Sequence, residues 1–265
     1  MSIPTQAILQ HLDLARQTPS LDYLNAILVA WSARIPWETA SRIARHQQDG
    51  TAADYARFPS QFFADALDYS TGGTCFETNL ALRALLTDLG FTSALHFCDM
   101  ETPTINPHCA LTVELESGTY LADMGYPIPN ALRLDDTETT RILTPAYAFR
   151  AIPHFNHRWE VRREATGYES QSFVLKGEPI DEETFKARLI RDHEPDGLFL
   201  DEVIISKTTG AGMLRYSPDK GLVIRTHEAE VSVPLLPQEQ ANLVEALSRR
   251  FDLSSHILAI ALNQK

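Results

Sequence analysis

The sequence predicts an α+β fold in three stretches: a helical bundle over residues 1–90, a sheet or barrel over 91–178, and a linking helix with a small α/β unit over 179–265. Two changes of hydrophobic period predict it. Apolar residues recur at helical spacing up to Gly90, then alternate at a period of two from Phe91, and periodicity is the primary sign of element type. A third observation, the recurrence of short strand-like runs either side of a helical run after Pro179, separates the last stretch from the second.

In the first stretch, Ile8, Leu12 and Leu14 begin a helix. After Pro19, Ser20 is placed to cap a second one carrying Leu21, Tyr23, Leu24, Ile27, Leu28 and Trp31, which ends before Ile35-Pro36. A shorter helix is expected from Glu38 through Arg45, and another after Pro59-Ser60 with Phe62, Phe63, Ala66 and Leu67. The last begins at Cys75 and carries Phe76, Leu80, Leu82, Ala84, Leu85, Leu86 and Leu89.

Strands are expected over Phe91–Phe97, Pro107–Leu115, Thr119–Met124, Leu132–Leu134, Ile142-Leu143, Trp159–Arg162 and Gln171–Leu175. Asp181–Arg191 reads as the linking helix. Val203–Lys207, Met213–Tyr216, Gly221–Thr226 and Glu230–Leu235 read as a final sheet, and Pro237–Phe251 as a closing helix.

The formal net charge of −12 over 265 residues argues against non-specific binding to nucleic acid or anionic membrane, both of which need basic patches. An anionic substrate would need a local basic pocket. The opening Met1–Gln6 lacks the charged and apolar regions of a signal peptide, and no apolar run reaches membrane-spanning length. Cys75, Cys98 and Cys109 form no CxxC pair and leave one over in any disulfide scheme. A cytoplasmic, reducing location is the expectation.

Chemistry concentrates on Thr71-Gly72-Gly73-Thr74-Cys75. The glycines let the chain turn sharply and let a substrate come close to the backbone, and Cys75 falls in the first turn of a helix, where unpaired N–H groups and the helix dipole favour a thiolate. A nucleophilic cysteine needs a base and a group to orient the base. His108 and Asp123, on two strands joined by a short turn, are the best candidates. A Glu116-Ser117 loop would put Asp123 opposite Ala110, one same-face step from His108; a Ser117-Gly118 loop would put it opposite Thr112, a step further away.

On local pattern alone the competing readings stand beside these: a buried small cysteine, a satisfied strand histidine, a solvated carboxylate near a turn. Cys109 and Cys98 read as core and His96 as structural. Asn79, four residues after Cys75, is on its side of the helix and is placed to hold the loop or a substrate carbonyl. His154-Phe155-Asn156-His157 lacks a third ligand, so no metal site is expected.

Three ordered motifs resemble the arylamine N-acetyltransferases. Gly72-Gly73-Thr74-Cys75-Phe76-Glu77-Thr78-Asn79 is similar to that family's Arg-Gly-Gly-Arg-Cys-Phe-Glu-x-Asn, and Ile35-Pro36-Trp37-Glu38 to its Ile-Pro-Phe-Glu. His108–Val113 followed by Tyr120–Tyr126 resembles its His-x-x-Leu-x-Val and Tyr-Leu-Val-Asp-Val-Gly-Phe.

The resemblance implies a helical bundle, a β-barrel and a C-terminal α/β lid around a cysteine-protease-like catalytic core. It implies that Cys75 is the acylated nucleophile, His108 its proton partner and Asp123 the residue orienting His108. By the same resemblance Gly125 and Tyr126 would meet the acyl donor, Trp37 and Phe76 would line the amine site, and acetyl-CoA would serve as cosubstrate with no metal. The implied reaction is ping-pong, from coenzyme A to cysteine and then to an arylamine, hydrazine or hydroxylamine nitrogen. Thr71 and Thr74 stand where the family pattern has arginines, and Tyr126-Pro127 where it has Phe-Gly. Three alternatives remain open: an amide synthase of the same superfamily, a papain- or transglutaminase-like thiol hydrolase, and a non-catalytic ligand-binding descendant. The oligomeric state is not legible.

Overall fold

Ser20 accepts the Tyr23 N–H at 3.1 Å and so opens the long second helix where the sequence signal places it. The structure, a computed structural model, describes residues 3–100, 107–167 and 169–263. The N-terminal stretch contains α1 (Thr5–Leu12), α2 (Leu21–Arg34), β1 (Trp37–Glu38), α3 (Ala40–His46), α4 (Ala52–Tyr55), α5 (Pro59–Tyr69) and α6 (Cys75–Asp88). The helix expected from Glu38 starts later, at Ala40. Trp37 and Glu38 are extended instead and pair antiparallel with Ser206 and Ile205, while the Glu38 carboxylate accepts the Ser41 N–H at 2.8 Å. α4 had no periodic signal, being four residues long.

α6 is buried on every side from Cys75 through Leu82, as a helix must be when other elements cover all of its faces. It packs against α5 on one side and the barrel on the other.

The barrel is one antiparallel sheet of β2 (Thr92–Met100), β3 (His108–Leu115), β4 (Gly118–Ala122), β5 (Leu132–Leu134), β6 (Thr140–Leu143), β7 (Ala148–His154), β8 (Arg158–Glu164) and β9 (Gln171–Leu175). Its strand order is β5-β4-β3-β2-β9-β8-β7-β6. The two edges come together, where the Thr140 hydroxyl donates to the Arg133 carbonyl, so the sheet is nearly closed. Leu121, Leu132, Phe149, Val161 and Leu175 fill its interior. β7 was not expected; its Pro153 is tolerated next to the hairpin turn, opposite Trp159.

α7 (Glu182–Asp192) follows, capped by Asp181, which accepts the Thr184 N–H at 2.8 Å. Its Phe185 and Leu189 join the bundle core. The second sheet has the order β1-β10-β11-β12-β13, with β10 (Ile205–Thr209), β11 (Gly212–Ser217), β12 (Gly221–Arg225) and β13 (Glu230–Ser232). The N-terminal stretch thus supplies its edge strand.

The expected closing helix is two, α8 (Pro237–Ala241) and α9 (Leu243–Phe251). Asn242 leaves helical dihedrals, at φ −139° and ψ 77°, and its side chain caps α9 by accepting the Glu245 N–H. An unexpected α10 (Ser255–Leu262) packs Leu258 into a core shared with Ala40 and Ile43 of α3. Among the described residues no helix is long and apolar enough to cross a membrane.

Candidate active site

The nucleophile loop explains its glycines by crowding. A Cβ on Gly72 would lie 1.6 Å from the Pro36 carbonyl oxygen, and one on Gly73 would lie 2.7 Å from Glu77 Oε2 and 2.9 Å from Arg57 Nη2. Neither glycine has a positive φ. What demands glycine at both positions is thus the close approach of the protein's own backbone and buried charges.

Cys75 is the first residue of α6. His108 opens β3, and the β3–β4 register sets Asp123. Leu115 pairs with Gly118 and Leu111 with Ala122, so the loop is Glu116-Ser117 and Asp123 follows on opposite Ala110. Gly118 closes that loop at φ +127°, in the region that favours glycine. Of the two registers open in the sequence, the nearer one is adopted.

His108 Nε2 lies 2.7 Å from Asp123 Oδ2, both side chains being buried. That leaves Nδ1 as the ring nitrogen open to the thiol, and Cys75 and His108 lie close enough to shift each other's titration. Asp123 Oδ1 accepts from Asn79 Nδ2 at 2.9 Å and from the Tyr126 N–H at 3.0 Å. Asn79 also donates to the Cys109 carbonyl at 2.8 Å and accepts the Met124 N–H at 3.1 Å. Of the two roles open to it, Asn79 takes the loop-holding one, tying α6 to β3 and to the segment after β4.

The Cys75 thiol is pulled down to about 6, first by a hydrogen bond from Cys109, with burial opposing and the hydrogen bond and charge of His108 assisting. Burial disfavours a charged His108, but the Asp123 carboxylate and Cys75 outweigh it and raise the imidazole to about 10. Burial, and then the Cys75 anion, pushes the Cys109 thiol up, and burial does the same to Cys98. Of the three thiols, Cys75 is thus the one whose surroundings favour the thiolate, and His108 beside it is the group whose surroundings favour the cation. Cys109 is core as expected, yet it also donates to the thiolate, a contact the strand alternation gave no hint of.

A cavity of about 440 Å³ opens over Cys75 and His108 and is also lined by Trp37, Gly125, Tyr126 and Pro127. Arg163, Arg215, Phe199 and Met213 complete much of its wall, and among the described residues no carboxylate lines it. In a chain of net charge −12 this is the local basic pocket that an anionic substrate requires. The Arg163 guanidinium stacks 4.3 Å from the Tyr126 ring, and Phe199 meets Trp37 edge-on at 5.2 Å. The Tyr126 hydroxyl donates to the Gln171 carbonyl at 3.0 Å.

Phe76, read as a substrate contact, is corrected. It is fully buried against Phe97, Phe185 and the Arg188 guanidinium. One residue along a helix is a rotation of about 100°, which turns Phe76 away from the face that Cys75 presents. His96 is structural, bonded to the Lys176 carbonyl and the Thr112 hydroxyl. His154 and His157 straddle the β7–β8 turn and face Glu160 and Asp136 separately. Among the described residues no group of three or more His, Cys, Asp or Glu is arranged to hold a metal ion.

Sequence reasoning missed Arg163, Arg215 and Phe199, which come from distant strands and a loop. It also missed a buried charge network beneath the nucleophile. Arg57 pairs with Glu77 at 2.6 Å, Arg42 with Asp192 at 2.9 Å, and His193 Nε2 lies 3.4 Å from Glu77 Oε1. Burial would raise the Glu77 carboxyl, but Arg57 and His193 hold it well below the usual range.

A family model described as N-acetyltransferase matches residues 20–258. A search of curated protein sequences finds no match. Among solved structures the chain is similar to the arylamine N-acetyltransferase of Mycobacterium smegmatis, at 19% identity over 97% of this chain and 95% of that one, with a TM-score of 0.79. It is similar to the Mycobacterium marinum arylamine N-acetyltransferase in complex with CoA, at 16% identity, 97% and 94% coverage and a TM-score of 0.76. It also resembles an arylamine N-acetyltransferase of Bacillus cereus described as having a Cys-His-Glu catalytic triad, at 16% identity, 96% and 100% coverage and a TM-score of 0.69. At these identities the structural likeness speaks for the fold, and the family match spans nearly the whole sequence; the chain belongs to the arylamine N-acetyltransferase family, whose members are acetyl-transferring enzymes.

Proposed function

We propose that the protein transfers an acyl group from coenzyme A to the nitrogen of an arylamine, hydrazine or arylhydroxylamine through an acyl-Cys75 intermediate, with Cys75, His108 and Asp123 as a catalytic triad. The observation that carries this reading is the placement of Cys75 and His108 together at one cavity, with Asp123 2.7 Å from His108 Nε2 and two arginines on the cavity wall; the lowered Cys75 thiol and raised imidazole agree with it.

The Cys75 thiolate attacks the thioester carbonyl carbon, and the first-turn N–H groups of α6, which a helix leaves unpaired, face the developing oxyanion. The carbon–sulfur bond to coenzyme A breaks, and His108 gives its proton to the departing thiolate. The acyl group then rests on Cys75. A neutral amine attacks it, His108 takes the amine proton, and the Cys75 thiolate leaves, which restores the ion pair. An aromatic amine suits this step, since its low basicity keeps the nitrogen lone pair free at neutral pH.

Arg163 and Arg215 would hold the anionic acyl donor, with Gly125 and Tyr126 between them and the nucleophile. Trp37 and Phe199 offer a ring face and edge to an aromatic acceptor. Intact-protein mass spectrometry after brief incubation with acetyl-CoA, run beside Cys75→Ala, tests the reading. One acetyl group gained, lost on adding aniline or a hydrazine, and absent from the variant is the expected result. An adduct that water removes as fast as the amine does would overturn it in favour of a hydrolase, and no adduct from acetyl or longer acyl donors would overturn it outright.

A further inference from the structure

The family's sequence pattern has an arginine immediately before the glycine pair, where this chain has Thr71. The loop is not left without a guanidinium. Arg57, from the segment between α4 and α5, is fully buried and donates from Nη2 to the Gly72 carbonyl at 2.7 Å and from Nη1 to the Thr71 hydroxyl at 3.4 Å. Its Nε and Nη2 reach the two oxygens of Glu77 at 3.2 and 2.6 Å, and its backbone N–H reaches Glu77 Oε1 at 3.0 Å. Asp65 lies 3.5 Å from Nη1, and the Phe62 ring lies 5.4 Å from the guanidinium carbon.

One group thus ties the loop three residues before Cys75 to the helix two residues after it. The Gly72 peptide is held from both sides, because its N–H donates to Glu38 Oε1 at 3.1 Å while its carbonyl accepts from Arg57. The Thr74 hydroxyl, at the position of the family's second arginine, is buried without a partner and adds no such hold.

We propose that Arg57 is a positioning residue for the nucleophile, a guanidinium delivered from another segment to the loop where the family pattern carries its own arginine. It acts through the loop and Glu77 and does not line the cavity. The inference rests on Cys75 being the nucleophile. Around Arg57 the charged groups are Glu77 of α6, Asp65 of α5 and Glu38 of β1; around Cys75 they are His108 of β3 and, further off, Asp192 of α7, with the Cys109 thiol in contact. Without Arg57, Glu77 keeps His193 at 3.4 Å but loses its guanidinium, and its repulsion with buried Glu38 is no longer offset, which disfavours a further anion at Cys75 and loosens the peptide that sets its position. A lysine keeps the charge but not the fork that meets Glu77 and Gly72 together.

The test is the pH profile of Cys75 alkylation by iodoacetamide in Arg57→Ala, Arg57→Lys and the double variant Arg57→Ala/Thr71→Arg, with thermal unfolding followed in parallel. The Ala variant is expected to raise the midpoint by about one unit, which reads as about tenfold slower alkylation below both midpoints. Lys falls between, and Thr71→Arg recovers most of the loss. A wild-type midpoint and rate in either folded single variant overturns the proposal, as does a folded double variant with no recovery. If Arg57→Ala does not fold, Arg57→Lys carries the same two readings. Alkylation needs no acyl donor, so normal alkylation with no transfer from acetyl-CoA counts against the acyl-transfer reading and leaves Arg57 where it stands.

Discussion

Asp123→Asn isolates the charge of the triad from its shape. Asp123 Oδ1 accepts from Asn79 Nδ2 and from the Tyr126 N–H, whereas Oδ2 meets His108 Nε2, at 2.7 Å. The two donors on Oδ1 fix the asparagine oxygen there and turn its NH₂ toward the imidazole. His108 Nε2 must then accept, its proton moves to Nδ1, and the doubly protonated imidazolium is no longer tolerated. Cys75 loses its cationic partner and rises from about 6 toward the ordinary thiol value near 9. The full three units would lower the thiolate fraction at pH 7 from about 90% to about 1%, a hundredfold loss.

The hydrogen bond from Cys109 survives the substitution, so the expected loss in alkylation rate at pH 7 lies between about tenfold and a hundredfold. The assay is iodoacetamide labelling of Cys75 across pH, read by peptide mass spectrometry with Cys98 and Cys109 as slow internal references. The substitution is isosteric and keeps both Oδ1 contacts, so thermal unfolding should change little. A midpoint that stays near 6 in the folded variant would refute the assignment of His108 as an imidazolium held by Asp123.

Two further outcomes follow from the geometry. A Cβ at Gly125 would stand 2.5 Å from Cys75 Cβ and 2.7 Å from Cys75 Cα, atoms that cannot rotate away; Gly125→Ala is expected to displace the nucleophile by about 1 Å and slow acyl transfer by about a hundredfold, measured as the rate of acyl-Cys75 formation. Glu77 is held below its ordinary 4.5, so its contribution to stability is present above that value and is lost as pH falls toward its folded pKa; Glu77→Gln should flatten the decline of denaturant stability with acid below about pH 4.5, and an unchanged slope would contradict the buried pairing.

How much of this was legible follows from what kind of signal each residue leaves. The apolar surround of α6 and the alternation of β3 are written in single segments, and they placed Cys75 and His108 on the right elements. Asp123 was found as a residue type near a turn, but its register needed the structure, because Gly118 is compatible both with closing the loop and with sitting in it. β1 was hidden because two residues carry no period, and their strand partner lies more than 160 residues away. The buried charges were hidden for a different reason. Nothing in the local sequence marks Arg57, Glu77, Arg42 and Asp192 as buried, since charged residues are seldom fully buried unless paired, and the pairing is set by tertiary contacts alone. Phe76 came to the amine site only through the resemblance, and in the fold its side chain packs into the bundle core, away from the cavity.

Glu38 connects the two halves of the site in a way that neither half reveals. Through its backbone it pairs with Ile205 at the edge of the second sheet, whose Ser206, Met213 and Arg215 form part of the cavity wall. Through its carboxylate it receives the Gly72 N–H of the nucleophile loop and both the N–H and the hydroxyl of Ser41 at the start of α3. Burial pushes this carboxyl up, and Arg57 with the Ser41 hydrogen bonds pulls it back. The cavity wall and the loop that carries the cysteine are therefore joined through β1, by the Glu38 carboxylate on the Gly72 N–H and by the Trp37–Gly73 bridge, in which the Glu38 N–H donates to the Gly73 carbonyl at 3.4 Å. A movement of the second sheet away from the barrel, widening the cavity, would have to break the β1–β10 pairing or drag Gly72 with it. The cavity's width and the nucleophile's aim are one coupled variable, and a substitution that enlarges the acceptor side by loosening β1 should cost thiolate reactivity before it admits a larger amine.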